Sequence, residues 1–120
     1  MPYLEENGIT KVSTTASIDM KTAAATTLYT VPIGKTFYPV AVVIRETSAS
    51  LAGGTSYSFT GWRQAVDLSS MTTLGTDYIV LNNNNTKYTD TAAAAAFQIT
   101  VTTGSTAACT ATIDVFGFLA

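Results

Sequence analysis

Thr27-Leu28-Tyr29-Thr30-Val31-Pro32-Ile33-Gly34-Lys35-Thr36-Phe37-Tyr38-Pro39-Val40-Ala41-Val42-Val43-Ile44-Arg45-Glu46 is the stretch that decides the fold. A short β-rich run, Leu28 to Val31, meets Pro32. Ile33-Gly34-Lys35 turns the chain, and a longer apolar run carries it from Thr36 to Ile44. Proline fixes φ near −65° at the first corner of a turn, and a glycine beyond it takes positive φ without strain. The pattern predicts strand, tight turn and long strand, a hairpin-like nucleus for an all-β domain. By simple alternation Phe37, Pro39, Ala41 and Val43 point one way. Tyr38, Val40, Val42 and Ile44 point the other way. Both sets are apolar, so a core and a second covering layer, a neighbouring subunit for instance, are both expected. Pro39 is discordant in a central strand, which needs its N–H, and is placed at a bulge or an edge.

Outward from this stretch, Ile9 to Ile18 reads as a strand from its β-branched density. Asp19-Met20-Lys21 breaks it, and Thr22 to Thr26 is too short and uncapped to hold a helix. Ser56 to Thr60 is a short strand carrying Tyr57 and Phe59. Arg63 to Thr73 has no clean period and reads as a crossover. Tyr78 to Leu81 is a buried strand, and Asn82 to Asn85 is a loop, because asparagine favours Asx-turns. Phe97, Ile99 and Val101 alternate with Gln98, Thr100 and Thr102, the cleanest half-buried strand in the chain. Thr103-Gly104-Ser105 reads as a hairpin turn into a last strand from about Ala107 to Leu119. The expected fold is an all-β, two-sheet antiparallel sandwich of jelly-roll type with about eight strands. Residues 1–8 are expected to form an N-terminal arm and residues 9–120 a single domain.

Composition narrows the function. The chain has 120 residues, 47% hydrophobic and 12% charged, about half the usual share of charge. A surface rich in Thr, Ser, Ala and Asn suits a subunit that buries much of its outside against neighbours. Six basic residues lie singly along the chain, so a phosphate-neutralising stripe is absent and nucleic acid is not an expected partner. No polybasic cluster or spanning-length apolar run points to a membrane. Met1 to Gly8 lacks the basic and apolar regions of a secretory signal, so synthesis in a cytoplasm without export by a cleavable signal is expected. Cys109 is the only cysteine and reads as a buried small hydrophobe.

Histidine is absent, which removes the commonest general base and zinc ligand. The eight acids are scattered, and no pair has the spacing of a glycosidase site. No enzyme activity and no cofactor are expected. Asp77, Asn82, Asn83, Asn84 and Asp90 offer oxygens for calcium, but without the spacing of a calcium loop they read as turn formers. Trp62 beside Arg63 fits either a contact surface or a core plug. Tyr3 and Leu4 give the arm two apolar residues for a neighbour. The expected contacts with a neighbouring subunit are Tyr3, Leu4, Tyr38, Val40, Val42, Trp62 and Arg63.

The segment from Thr26 to Arg45 resembles one found in small structural proteins of tailed bacteriophages, a Thr-x-x-Tyr/Phe-Thr-Val-Pro-x-Gly-Lys turn followed by an apolar strand. The later S-Y-S-F-T-G-W and the closing V-F-G-F-L look like the same class of virion β-sandwich. The resemblance implies a virion protein at the capsid surface, a head decoration subunit that forms homo-oligomers, with a trimer favoured. Its partners would be other virion proteins, the major capsid protein first. Alternatives are a tail, head-fibre or adaptor component, or a carbohydrate-binding module using Trp62 and Tyr57.

Overall fold

A computed structural model describes residues 9–62, 64–73, 77–83 and 95–120. Among them seven strands form: β1 (Thr10–Asp19), β2 (Ala25–Thr30), β3 (Phe37–Arg45), β4 (Ser56–Phe59), β5 (Ile79–Asn82), β6 (Ala96–Thr103) and β7 (Thr110–Leu119). The four-stranded sheet has the order β1-β7-β3-β5 and the three-stranded sheet the order β2-β6-β4, with every pair antiparallel. Beyond β4, Val66 makes one antiparallel bridge to Tyr57. Counting that bridge as a vestigial eighth strand beside β4, the two sheets have jelly-roll order, and the chain changes sheets at every connection except the one from β4 to the bridge. The expected fold class is therefore the observed one.

Two expected hairpins are corrected by this topology. β2 and β3 belong to different sheets, and so do β6 and β7. Val31–Thr36 and Gly104–Cys109 are crossovers at the ends of the sandwich. Short turns alone do not distinguish the two cases, because β-branched strands on either side look alike. Gly104 shows the crowding at one crossover, since a Cβ there would lie 2.1 Å from the Lys21 carbonyl oxygen. The first turn also sits one residue later than proline suggested. Lys35 N–H donates to the Pro32 carbonyl (3.1 Å), and Gly34 has φ of 83°, so Ile33 and Gly34 occupy the corners.

The faces of β3 are corrected as well. Pro39 pairs with Gly117 and Ala41 with Phe116, so Val40 is an extra residue, a β-bulge. The bulge flips the alternation halfway along the strand. Phe37 and Pro39 face inward before it, and Val42 and Ile44 face inward after it, with Phe37, Val42 and Ile44 fully buried. Val42 and Ile44 are thus covered within the chain by the opposing sheet, contrary to the simple two-face reading. Pro39 is tolerated because its partner is glycine. A Cβ on Gly117 would meet the Tyr38 carbonyl at 2.4 Å and the Phe37 ring at 2.5 Å. On the β5 side, Asn83 satisfies the bulge by donating its Nδ2–H to the Pro39 carbonyl and its backbone N–H to the Val40 carbonyl, each 2.8 Å.

Between the sheets runs an aromatic seam. Phe37 of β3 meets Tyr29 of β2 at 5.0 Å and Phe97 of β6 at 5.8 Å, both edge-on, and Phe97 stacks on Phe59 of β4. Tyr57 is fully buried and donates its hydroxyl to the Met20 carbonyl (2.8 Å). Burial pushes its phenol up to about 12. Along one side β1 approaches β2, where Thr15 Oγ1 donates to the Leu28 carbonyl.

Gly117→Ala should lower stability by about 1–3 kcal/mol through overpacking against β3, read as a drop in the denaturant midpoint at unchanged m-value. An unchanged midpoint would show that the Pro39–Gly117 contact does not hold the bulge.

Candidate functional site

The chemistry of this protein lies on its two broad outer faces. On the three-stranded sheet, the strands Ala25–Thr30, Ser56–Phe59 and Ala96–Thr103 contain no charged residue. Their outward side chains are hydroxyls and an amide. Gln98 Nε2–H donates to Thr27 Oγ1, and Gln98 backbone N–H donates to Thr60 Oγ1 at 2.9 Å. Ser58 pairs with Thr100 beside them.

The outer face of the four-stranded sheet carries apolar side chains of β3, β5 and β7 around one ion pair, with the exposed Lys11 of β1 opposite Phe116. With Val42 and Ile44 inward, Ala41, Val43 and Arg45 face outward. Their cross-strand partners are Phe116, Asp114 and Thr112 on β7, and Val43 also pairs with Val80 on β5. Val80 is half exposed, and Tyr78 just before β5 is 69% exposed. At the other end Tyr38 stacks on Phe118 with ring centres 4.8 Å apart and planes within 14°.

Asp114 is only 7% exposed, although it faces outward. Thr14 on β1 donates to its Oδ1 (2.7 Å). Arg45 on β3 donates from Nε to Oδ2 (2.9 Å) and from Nη2 to Oδ1 (3.2 Å). Arg45 also contacts Glu46. The network therefore ties three adjacent strands together with a bidentate fork. Arg45 holds the Asp114 carboxyl below its ordinary range; burial opposes this, and the Thr14 hydroxyl adds to it. The consequence for contact is direct. The one buried carboxylate on this face is already neutralised by its own chain, so a partner covering the face does not have to desolvate an unpaired charge there.

The expected contact residues divide. Val42 lies in the core, fully buried. Trp62 is 8% exposed and packs on Phe59 with ring centres 4.8 Å apart, so it is a core plug. Its Nε1–H finds no acceptor among the described residues. Tyr57 and Trp62 are both buried, so neither is placed to stack on a sugar. Tyr38, before the bulge, and Val40, the bulged residue, are half-buried. Tyr3, Leu4, Arg63, Asn84 and Asp90 lie outside the described residues. Among the oxygen-bearing residues that are described, Asp77 accepts from the Thr73 N–H and Asn83 serves the bulge, each engaged locally. Sequence reading missed Arg45, Asp114 and Thr14. The signal was a carboxylate inside the strand run of Ile113 to Leu119, where a charge demands a partner.

Asp114 has a depressed folded pKa. Its contribution to stability is present above the ordinary carboxylate range and is lost as pH falls through the folded value. The protein should lose stability below about pH 4, and Asp114→Asn should melt several degrees lower at pH 7 while losing less on acidification. Parallel Tm-against-pH curves for the two proteins would rule out this network as the acid-sensitive element. No protein-family model matches the chain, and no curated protein matches its sequence.

Proposed function

We propose that this chain is a structural subunit of a tailed-bacteriophage virion, a head decoration subunit that assembles as a trimer and binds the major capsid protein at the capsid surface. Its work is to cover and bridge, with no catalysis, cofactor, nucleic acid or membrane involved. The observation that carries the reading is the charge poverty of both broad faces. One face is hydroxyl-bearing with no charge on its strands, and the other carries, besides apolar side chains, an ion pair closed within the chain and the single lysine Lys11. A monomer of this size normally keeps charge on such surfaces for solubility. A subunit that covers them in an assembly does not need it.

The jelly-roll order suits this role because its two sheets offer broad outer faces for stacking. The resemblance of Thr26 to Arg45 to phage structural proteins supplies the setting. Burial of apolar area supplies the driving force, at about 25 cal/mol per Å2 before the cost of association is subtracted.

The mass of the purified protein, measured by native mass spectrometry across a concentration series, tests the reading. A trimer persisting to low micromolar concentration is expected. A clean monomer at high micromolar concentration would contradict it and return the protein to the class of free-standing binding modules.

A further inference from the structure

The turn Pro32-Ile33-Gly34-Lys35 places a large β-branched residue at its apex. Ile33 is 88% exposed, the highest value among the large apolar residues described, and nothing lies within 4 Å of where a Cβ on Gly34 would sit. Turn apices favour Gly, Asn, Asp and Ser, so isoleucine there serves neither the turn nor the core. Lys35, also exposed, follows it. The tip is therefore an apolar knob with one positive charge.

A matching surface lies at the other end of β3. There the half-buried Val43 pairs with the exposed Val80 on the outer face, and the exposed Tyr78 lies just before β5 beside them. Two further carboxylates lie next to this corner in the chain, Glu46 just after β3 and Asp77 just before Tyr78, beside the Asp114–Arg45 pair that is closed within the chain. Arg45 is bound to Asp114 and contacts Glu46, so one cation serves two carboxylates. The patch is thus apolar with an acidic margin, complementary in both respects to the knob.

Knob and patch sit at opposite ends of one strand, about 30 Å apart for nine residues of β structure. They cannot meet within one molecule. Resting on the assembly reading above, we propose that the Ile33–Lys35 tip of one copy docks on the Val43–Tyr78–Val80 patch of the next. The contact is head-to-tail, each copy giving a tip and receiving one. Contacts of this kind close into rings when the rotation allows, and a trimer is such a ring. Two copies of the same patch facing each other would instead bring acidic margins together.

Full-length Ile33→Asp and Val80→Asp variants, alone and mixed, test the proposal by native mass spectrometry. Ile33 is exposed at a turn, so its variant should keep the parent Tm. Each variant alone should lose the oligomer and run as a monomer. A mixture should recover a heterodimer, because Val80→Asp still has an intact tip and Ile33→Asp an intact patch. An oligomer unaffected by Ile33→Asp would overturn the docking while leaving assembly standing. Monomeric single variants whose mixture stays monomeric would overturn the head-to-tail arrangement. A parent protein that is itself monomeric would overturn both this contact and the reading it rests on.

Discussion

The bulge at Val40 is the constraint on which the rest of the structure depends. Without it, β3 would present one unbroken apolar set on each face, and half of its large side chains would be stranded outside the core. The extra residue rotates the second half of the strand, so Phe37 and then Val42 and Ile44 all reach the interior. It exists because three local requirements coincide. Pro39 has no N–H to give the ladder, Gly117 opposite it has no side chain to obstruct, and Asn83 accepts neither role but donates to both freed carbonyls. The inward turn of Val42 and Ile44 is also what sends Val43 and Arg45 outward. The character of the outer face is thus set by a backbone irregularity rather than by a special side chain.

From that follows a division of labour between layers. The interior is held by an aromatic seam that crosses the sheets at Phe37 and Phe97. The outer face is held by the Thr14–Asp114–Arg45 network, which laces β1, β7 and β3 without adding net charge. Among the described residues Lys11 on β1 adds one exposed charge to this face, while Lys35 lies at one end of β3 and Glu46 and Asp77 at the other. In the proposed assembly, broad faces of low charge would make the contact and the charged ends of β3 would give it direction.

Much of the sandwich is legible from alternation. β6 shows this most clearly, since Phe97, Ile99 and Val101 are buried as their spacing requires. The crossovers were not legible, because a tight turn leads equally well into a hairpin or to the facing sheet, and only global topology decides. The bulge was half legible. Pro39 announces that something must yield, but which residue becomes the extra one depends on Gly117, seventy-eight positions away by simple subtraction of the two numbers. Trp62 illustrates a limit of composition, because a tryptophan beside arginine looks the same at an interface and in a core. The ion pair escaped for a similar reason, as Arg45 and Asp114 become neighbours only through the pairing of β3 with β7.

The central claim is that the outer face of the four-stranded sheet is made to be covered by another molecule. Hydroxyl-radical footprinting of Tyr78, Val80 and Phe116 in the assembled protein and in protein diluted to monomer tests it directly. The account predicts several-fold slower labelling of Tyr78 and Val80 in the assembly, with Leu28 and Val101 in the core unreactive in both. Equal labelling of Tyr78 and Val80 in the two states would contradict it.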